Sequence, residues 1–320
     1  MRLSLALSLL AAAALPAALA AQPAHSAAAA SSAHGTRGAR GAHGAHGAHG
    51  ASTAARTAAD AGIGRVVTVR TLDYAFEAPA SIPAGLTTFR IENAGKELHH
   101  VWLVRLEKGK TAADYLAALE AAAKGAPIPR WAVDVGGPNA AVPGLLADGT
   151  IALEAGNYLM ICHIPSPADG KPHSMKGMFK PLTVTAAPVA RQAARTVAPK
   201  ADVTMTLDDY DFRLSAPLVA GRRTIEVTNA ATQPHEVFFA KLAPGKTVAD
   251  AAQWLEAGMQ GPPPIMPAGG TAGLARGRVQ RFTSDFTPGE YALFCFVPDA
   301  KDGKPHIAHG MLKQITVAER

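Results

Sequence analysis

Residues 162–178 read CHIPSPADGKPHSMKGM, and residues 295–311 read CFVPDAKDGKPHIAHGM. Each stretch opens on one of the only two cysteines in the 320-residue chain. In each, ten residues separate the Cys from a His, and four more separate that His from a Met. A pattern written twice around the rarest residue of the chain marks either a duplicated unit or a coincidence. The flanking sequence decides between them.

The match extends outward on both sides. GNYLMICHIP at 156–165 answers GEYALFCFVP at 289–298, and Cys162, His173 and Met178 meet Cys295, His306 and Met311 at a constant offset of 133. Further upstream the offset is 136. There LDYAF at 72–76 answers DDYDF at 208–212, IENAGKELHHVWLVRL at 91–106 answers VTNAATQPHEVFFAKL at 227–242, and GKTAAD at 109–114 answers GKTVAD at 245–250. Three residues are lost between the two blocks. One ancestral unit has been duplicated in tandem.

Each copy reads as a series of short strands. VVTVRTLDYAF, TTFRIEN, HHVWLVRL, TIALEAGNYLMICHI and KPLTVTA are rich in β-branched and aromatic residues, with Gly, Pro and Asn between them. About seven strands in some 120 residues predict an all-β unit, a β-sandwich. One helix interrupts each copy. Thr111 and Thr247 are N-cap residues with an Asp three positions on, and TAADYLAALEAAAKG and TVADAAQWLEAGMQG suit helices that end at Gly.

The predicted organisation is a signal peptide at 1–20, an Ala/Gly/His-rich tail at 21–61, a first unit at 62–186, a linker at 187–201 and a second unit at 202–320. The leader has Arg2, an apolar run from Leu3 to Leu15, and the small-residue site Ala18-Leu19-Ala20. An exported protein is expected, periplasmic or extracellular, with no membrane span. The tail lacks core-forming residues, and its His43, His46 and His49 suit a solvated linker better than a metal site. Residues 66–186 carry eleven basic and eleven acidic side chains, and residues 202–320 carry twelve and thirteen, so the net charge of +6 belongs to the remaining segments. Neither unit has the basic surface of a nucleic-acid binder.

Two cysteines in an exported chain raise the possibility of a disulfide. Equivalent positions in tandem units seldom lie within the roughly 4.4–6.8 Å between Cα atoms that a disulfide needs, so two separate cysteines are expected. A plain buried Cys in each core is the bland alternative. Thiolate, imidazole and thioether together favour copper, and two His, one Cys and a weak axial Met form the blue-copper arrangement. A second His is then required from an earlier strand. His99 aligns with His235, whereas His100 aligns with Glu236. Alternation puts His99 with Val101 and Leu103, and His235 with Val237 and Phe239, on an apolar face. His100 and Glu236 are expected to face solvent.

NAGKELHHVWLV, GNYLMICHIP and PHSMKGM resemble the cupredoxins, the blue copper domains, and so do NAATQPHEVFFA, GEYALFCFVP and PHIAHGM. The resemblance covers nearly all of 66–186 and 202–320. It implies two Greek-key sandwiches, each with copper at one end. Two copper ions are implied, one held by His99, Cys162, His173 and Met178, the other by His235, Cys295, His306 and Met311. One feature departs from the family, in which two to four residues separate the Cys from the following His, where ten stand here. Met175 and His309 therefore remain alternative ligands, and His163, replaced by Phe296 in the second copy, is peripheral. The resemblance implies electron transfer with a redox partner protein. The alternatives are a copper carrier or store working with a copper-handling protein, and a metal-free binding scaffold. Multicopper oxidases and copper nitrite reductases also use tandem domains of this family, with His-x-His pairs, a His-Cys-His triplet or a His directly before the Cys. No His-x-His occurs here, and Ile161 and Phe294 precede the cysteines. A protein without enzymatic activity is expected on that ground.

Overall fold

The computed structural model describes residues 65–187, 198–257 and 261–320. The leader, the tail with its three spaced histidines and most of the linker lie outside the described residues.

The first copy supplies strands β1 (Arg65–Leu72), β2 (Ala75–Glu77), β3 (Ser81–Pro83), β4 (Gly85–Asn93), β5 (Trp102–Leu106), β6 (Ala132–Gly136), β7 (Leu146–Leu153), β8 (Gly156–Ile161) and β9 (Phe179–Thr185). The second supplies β10 (Val203–Asp208), β11 (Asp211–Leu214), β12 (Gly221–Asn229), β13 (His235–Leu242), β14 (Ile265–Leu274), β15 (Val279–Phe286), β16 (Gly289–Phe294) and β17 (Leu312–Val317). The fold is all-β, as the strand-rich sequence predicts. Helix α1 (Ala112–Ala122) follows β5 and helix α2 (Val248–Glu256) follows β13. In each, the cap Thr accepts from the Asp backbone N–H while the Asp side chain accepts from the Thr backbone N–H. This reciprocal capping box satisfies two N–H groups that a helix start otherwise leaves open. The first helix stops at Ala122, and Gly125 takes the left-handed conformation (φ 93°) in the turn beyond it.

Strands from both copies join in two continuous sheets. One runs β11-β10-β12-β15-β7-β4-β1-β2, the other β17-β16-β13-β14-β6-β5-β8-β9-β3. Both orders are nearly palindromic in the repeat. The joins are β7 with β15 and β6 with β14, and each pairs a strand antiparallel with its own duplicate. The two copies thus face each other about a local pseudo-dyad, the intrachain analogue of an isologous interface.

Alternation along the strands builds the cores. Val67, Val69, Phe89, Ile91 and Ile151 of one sheet pack with Leu103, Tyr158, Met160, Leu182 and Val184 of the other. Met205, Leu207, Ile225, Val227 and Phe282 pack likewise with Val237, Phe239, Tyr291 and Leu293. The cores are not confined to one copy each. Trp102, Val104 and Leu159 join the second cluster, and Phe238, Trp254 and Phe294 join the first. Strands β5 and β13 are therefore buried on both faces.

The seam is locked by polar contacts. Gln280 accepts from Gly137 N–H (2.7 Å) and donates to Gly137 C=O (2.9 Å). Asn139 Nδ2 donates to Val237 C=O (3.2 Å) and Thr271 C=O (3.0 Å). Buried amides with both ends engaged contribute about 1 kcal/mol per hydrogen bond and fix the register of the pairing.

Candidate metal centres

Both His-Cys-His groups are assembled at the same end of each copy by matching devices. His99 bridges Ala141 just before β5, and His235 opens β13. The loop before each His is braced by an Asn. Asn93 Nδ2 donates to Glu97 C=O and Ala141 C=O (both 2.8 Å), and Asn229 Nδ2 to Gln233 C=O (2.9 Å) and Leu274 C=O (2.6 Å). Each Cys follows the end of its strand, and its N–H bonds the Met carbonyl: Cys162 to Met178 (3.1 Å) and Cys295 to Met311 (3.3 Å).

The ten-residue connection closes on itself. Pro165 bridges Pro172 and Pro298 bridges Pro305. His173 N–H donates to Ile164 C=O (2.8 Å), and His306 N–H donates to Val297 C=O (2.9 Å). The extra residues form an excursion pinched at its base, so each His stands where a much shorter loop would place it. A 3₁₀ turn, His173–Lys176 or His306–His309, then hands the chain to the Met through a left-handed Gly177 or Gly310.

Three metal-type side chains converge in each copy. The donor atoms of His99, Cys162 and His173 lie within 4.8 Å of one another, and so do those of His235, Cys295 and His306. Cys162 Sγ is 3.4 Å from His173 Nδ1, and His99 Nδ1 is 3.1 Å from His173 Nδ1. Cys295 Sγ is 3.3 Å from His306 Nδ1 and 3.7 Å from His235 Nδ1. All six side chains are fully buried, as are Met178 and Met311, whose N–H groups bond His173 C=O (2.9 Å) and His306 C=O (3.0 Å). Both cysteines are free thiols. Met175 is two-thirds exposed, and His309 turns to Asp302 (3.1 Å), so neither joins these groups. His163 packs edge-on against Trp102 instead.

The second ring nitrogens face carboxylates that the sequence reading did not single out. His99 Nε2 is 3.2 Å from Asp73 Oδ1, and His235 Nε2 is 3.2 Å from Asp209 Oδ1. His173 Nε2 is 2.7 Å from Glu97 Oε2, and His306 Nε2 is 3.7 Å from Asp299 Oδ2. At His99, His173 and His235 the carboxylate is within hydrogen-bond distance of Nε2, where it holds the proton and leaves the Nδ1 lone pair for the centre of the group; at His306 it stands beyond that distance. Tyr74 and Tyr210 stand edge-on to His173 and His306, and their hydroxyls donate to Glu97 (2.8 Å) and Asp299 (2.5 Å). Both tyrosines have left-handed backbone (φ 69° and 65°), a costly conformation for a bulky residue. The outer shell is thus built into the chain with strain.

His100 and Glu236 do not face solvent. Both are buried, because the opposite copy covers the outer faces of β5 and β13. They perform one task with different chemistry. His100 Nε2 accepts the N–H of His163 (2.8 Å), and Glu236 Oε1 accepts the N–H of Phe296 (2.9 Å). Each thereby anchors the residue that follows a Cys.

Burial dominates the titration of the groups. It pushes the Cys162 thiol up to about 12 and the Cys295 thiol well above its ordinary value. It lowers His173 and His306 to about 4, helped in each case by the neighbouring imidazole. His163 falls to about 4, and His99, His100 and His235 are also lowered by burial. Against these six, burial raises Asp134 to about 6 and Glu236 to about 7. A depressed His resists protonation in the folded state while its unfolded counterpart takes a proton below about 6.5, so stability falls with acidification; the two acids act oppositely. Six groups outweigh two. The metal-free protein is expected to melt progressively lower as pH falls from about 6.5 to 4, and a flat or rising melting temperature would contradict the neutral, buried imidazoles.

No protein-family model matches this chain, and no curated protein matches it. Among solved structures, it is similar to the dithionite-reduced auracyanin of Roseiflexus castenholzii at 21% identity, covering 38% of this chain and 97% of that one, with a TM-score of 0.27. It is similar to auracyanin A, a "blue" copper protein of Chloroflexus aurantiacus, at 22% identity over 38% of this chain and 98% of that one, TM-score 0.25. It is also similar to the Blue Copper Oxidase of Nitrosomonas europaea at 13% identity, over 80% of this chain and 86% of that one, TM-score 0.23. Cupredoxins thus stand among the similar structures, as do multicopper oxidases, which contain such domains. Identities this low place no activity on the chain. They do overturn the expectation of a protein without enzymatic activity, since similar structures spanning 80% of it include multicopper oxidases. The physical reason is that missing His-x-His pairs remove one ligand pattern and leave other ways to build a reactive centre. Among the described residues no helix is long and apolar enough to cross a membrane.

Proposed function

We propose that this is an exported copper redox protein with two type-1-like sites, in which His99, Cys162, His173 and Met178 hold one ion and His235, Cys295, His306 and Met311 the other. Its work is one-electron transfer with a redox partner protein. The observation that carries this reading is the orientation of the four imidazoles. Each turns Nδ1 inward and Nε2 toward a carboxylate, around a fully buried thiol.

The donor set fits copper. Soft sulfur and imidazole ligands suit Cu(I) and Cu(II), and copper bound here would supply a one-electron couple. The chain's own contribution is rigidity and dryness. Glu236 N–H donates to Cys295 Sγ (3.4 Å), and backbone N–H groups of His100 and Ile164 favour the Cys162 thiolate. Such hydrogen bonds, with burial, tune a reduction potential. The braced Asn loops and pinched hairpins hold the ligands in place and limit rearrangement between oxidation states.

Copper carriage is disfavoured by the same burial, since handing over an ion requires a ligand that a partner can reach. The test is to reduce and reoxidise the copper-loaded protein repeatedly in the presence of a Cu(I) chelator. Copper retained through many cycles supports electron transfer, and copper lost to the chelator at the rate of reduction supports carriage. The outer carboxylates are expected to matter too. Asp73→Asn with Asp209→Asn lowers copper affinity about 10–100-fold, as loss of an outer-shell partner does. Competition titration measures it, and unchanged affinity would remove these residues from the account.

A further inference from the structure

The second copy carries a third set of metal-type donors, at the protein surface. Donor atoms of Asp299, Asp302 and His309 lie within 4.8 Å of one another. Asp299 is buried at the base of this set, while Asp302 and His309 have side chains 38% and 29% exposed, so the group opens to solvent on one side.

The first copy shows what such a place holds. At the offset of 133, Asp299, Asp302 and His309 correspond to Ser166, Asp169 and Lys176. The Lys176 ammonium donates to Ser166 Oγ (3.1 Å) and Asp169 Oδ2 (3.2 Å) and lies 4.5 Å above the Tyr74 ring. A fixed cation therefore occupies this position in one copy. In the other, a carboxylate replaces the serine and an imidazole replaces the ammonium. Two acids then stand where one stood, and the built-in cation is gone. Lys304 approaches Asp302 only at 3.7 Å from a largely exposed position.

A second observation points to a missing partner. His306 is fully buried, and its Nε2, 3.7 Å from Asp299 Oδ2, has no hydrogen-bond partner. Its equivalent, His173, has a 2.7 Å bond to Glu97, but Gln233 replaces Glu97 in the second copy. The contacts already made by the set are these. Asp299 accepts from Tyr210 OH, Gln233 Nε2 and Lys301 N–H, and Asp302 Oδ1 accepts from Lys304 N–H and faces His309 Nε2. Each carboxylate keeps lone pairs for a further partner.

We propose that Asp299, Asp302 and His309 bind a divalent transition-metal cation of the zinc class, in the place that the Lys176 ammonium fills in the first copy. Two carboxylate oxygens and one imidazole are common zinc donors, and the open side leaves a coordination position for water. The unpartnered His306 Nε2 lies at the buried base of the set, 3.7 Å from Asp299 Oδ2. The site does not depend on what the buried His-Cys-His groups bind.

The test is equilibrium dialysis of the full chain, loaded with no more than two equivalents of Cu(I), which prefers the soft sulfur groups over carboxylates, against Zn²⁺, with metal analysis, comparing the unmodified protein with His309→Lys and with Asp302→Asn. His309→Lys installs the first copy's own solution. The unmodified protein is expected to retain one more Zn²⁺ per chain than either variant at matched free zinc. Because the reading is a difference, zinc taken by the tail or by the buried groups cancels. Equal zinc counts in the unmodified protein and both variants overturn the proposal.

Discussion

Alanine at both His173 and His306 abolishes the intense thiolate-to-copper absorption of the copper-loaded protein. The expectation follows from the way the long loop closes. Ten residues between Cys and His would leave a flexible loop free to place the His in many positions, although lengthening a loop from four to ten residues costs only about 0.8 kcal/mol of closure entropy. Here the loop is not flexible in that sense. The Pro165–Pro172 and Pro298–Pro305 bridges pinch it, and the His N–H is tied back to the carbonyl two residues after the Cys. Nδ1 of each His then stands 3.3–3.4 Å from its sulfur. Among the described residues no other imidazole is placed to substitute, since Asp302 engages His309, His163 packs on Trp102 and His100 accepts the His163 N–H. Removing this ligand should weaken copper binding by more than the roughly 10–100-fold attached to an outer-shell group. Absorption that survives unchanged in the double variant would show that another group completes the sites.

Alanine at Gly137 or Gly270 is expected to destabilise the whole molecule. These glycines are equivalent in the two copies and sit at the seam, with φ of 141° and 128°. A Cβ on Gly137 would overlap the Val101 carbonyl oxygen, and one on Gly270 the Val237 carbonyl oxygen. Both obstacles are backbone, two residues beyond His99 and His235. Strained φ costs about 1–3 kcal/mol. Forced displacement of packed backbone costs about 1–3 kcal/mol more. A loss of roughly 2–6 kcal/mol is a large part of a stability that is about 5–15 kcal/mol in ordinary domains. Gly109→Ala is the control, because Gly109 has φ 87° with nothing within 4 Å of a Cβ. Urea unfolding of the three variants measures the difference, and Gly137→Ala no less stable than Gly109→Ala would refute the close approach at the seam.

The internal repeat makes much of this legible in the sequence alone. Aligning the copies separated His99 from His100 and paired His99, Cys162, His173 and Met178 with His235, Cys295, His306 and Met311, all of them buried. It could not expose the outer carboxylates. Asp73 and Asp209 recur at the offset of 136, yet they lie 26 residues before the His they serve. Parallel pairing of β1 with β4, with Thr71 opposite Asn93, carries Asp73 to that loop. Glu97 and Asp299 were harder still, because the acid occupies different positions in the two copies. The outward reading of His100 failed for a physical reason. Alternation identifies a solvent face only where one face of a strand is free, and the opposite copy covers that face of β5 and β13. The same cause joins two expected cores through a shared seam, since a strand buried on both sides belongs to two packing clusters.

Copper titration of the full chain, followed by visible absorption with metal analysis at each step, distinguishes two type-1-like copper sites from a metal-free scaffold. An intense thiolate charge-transfer band is expected to grow in proportion to the first two copper ions bound per chain and to stop there, any further copper adding none. Saturation near zero, or two ions bound with no such band, would contradict the two-site reading.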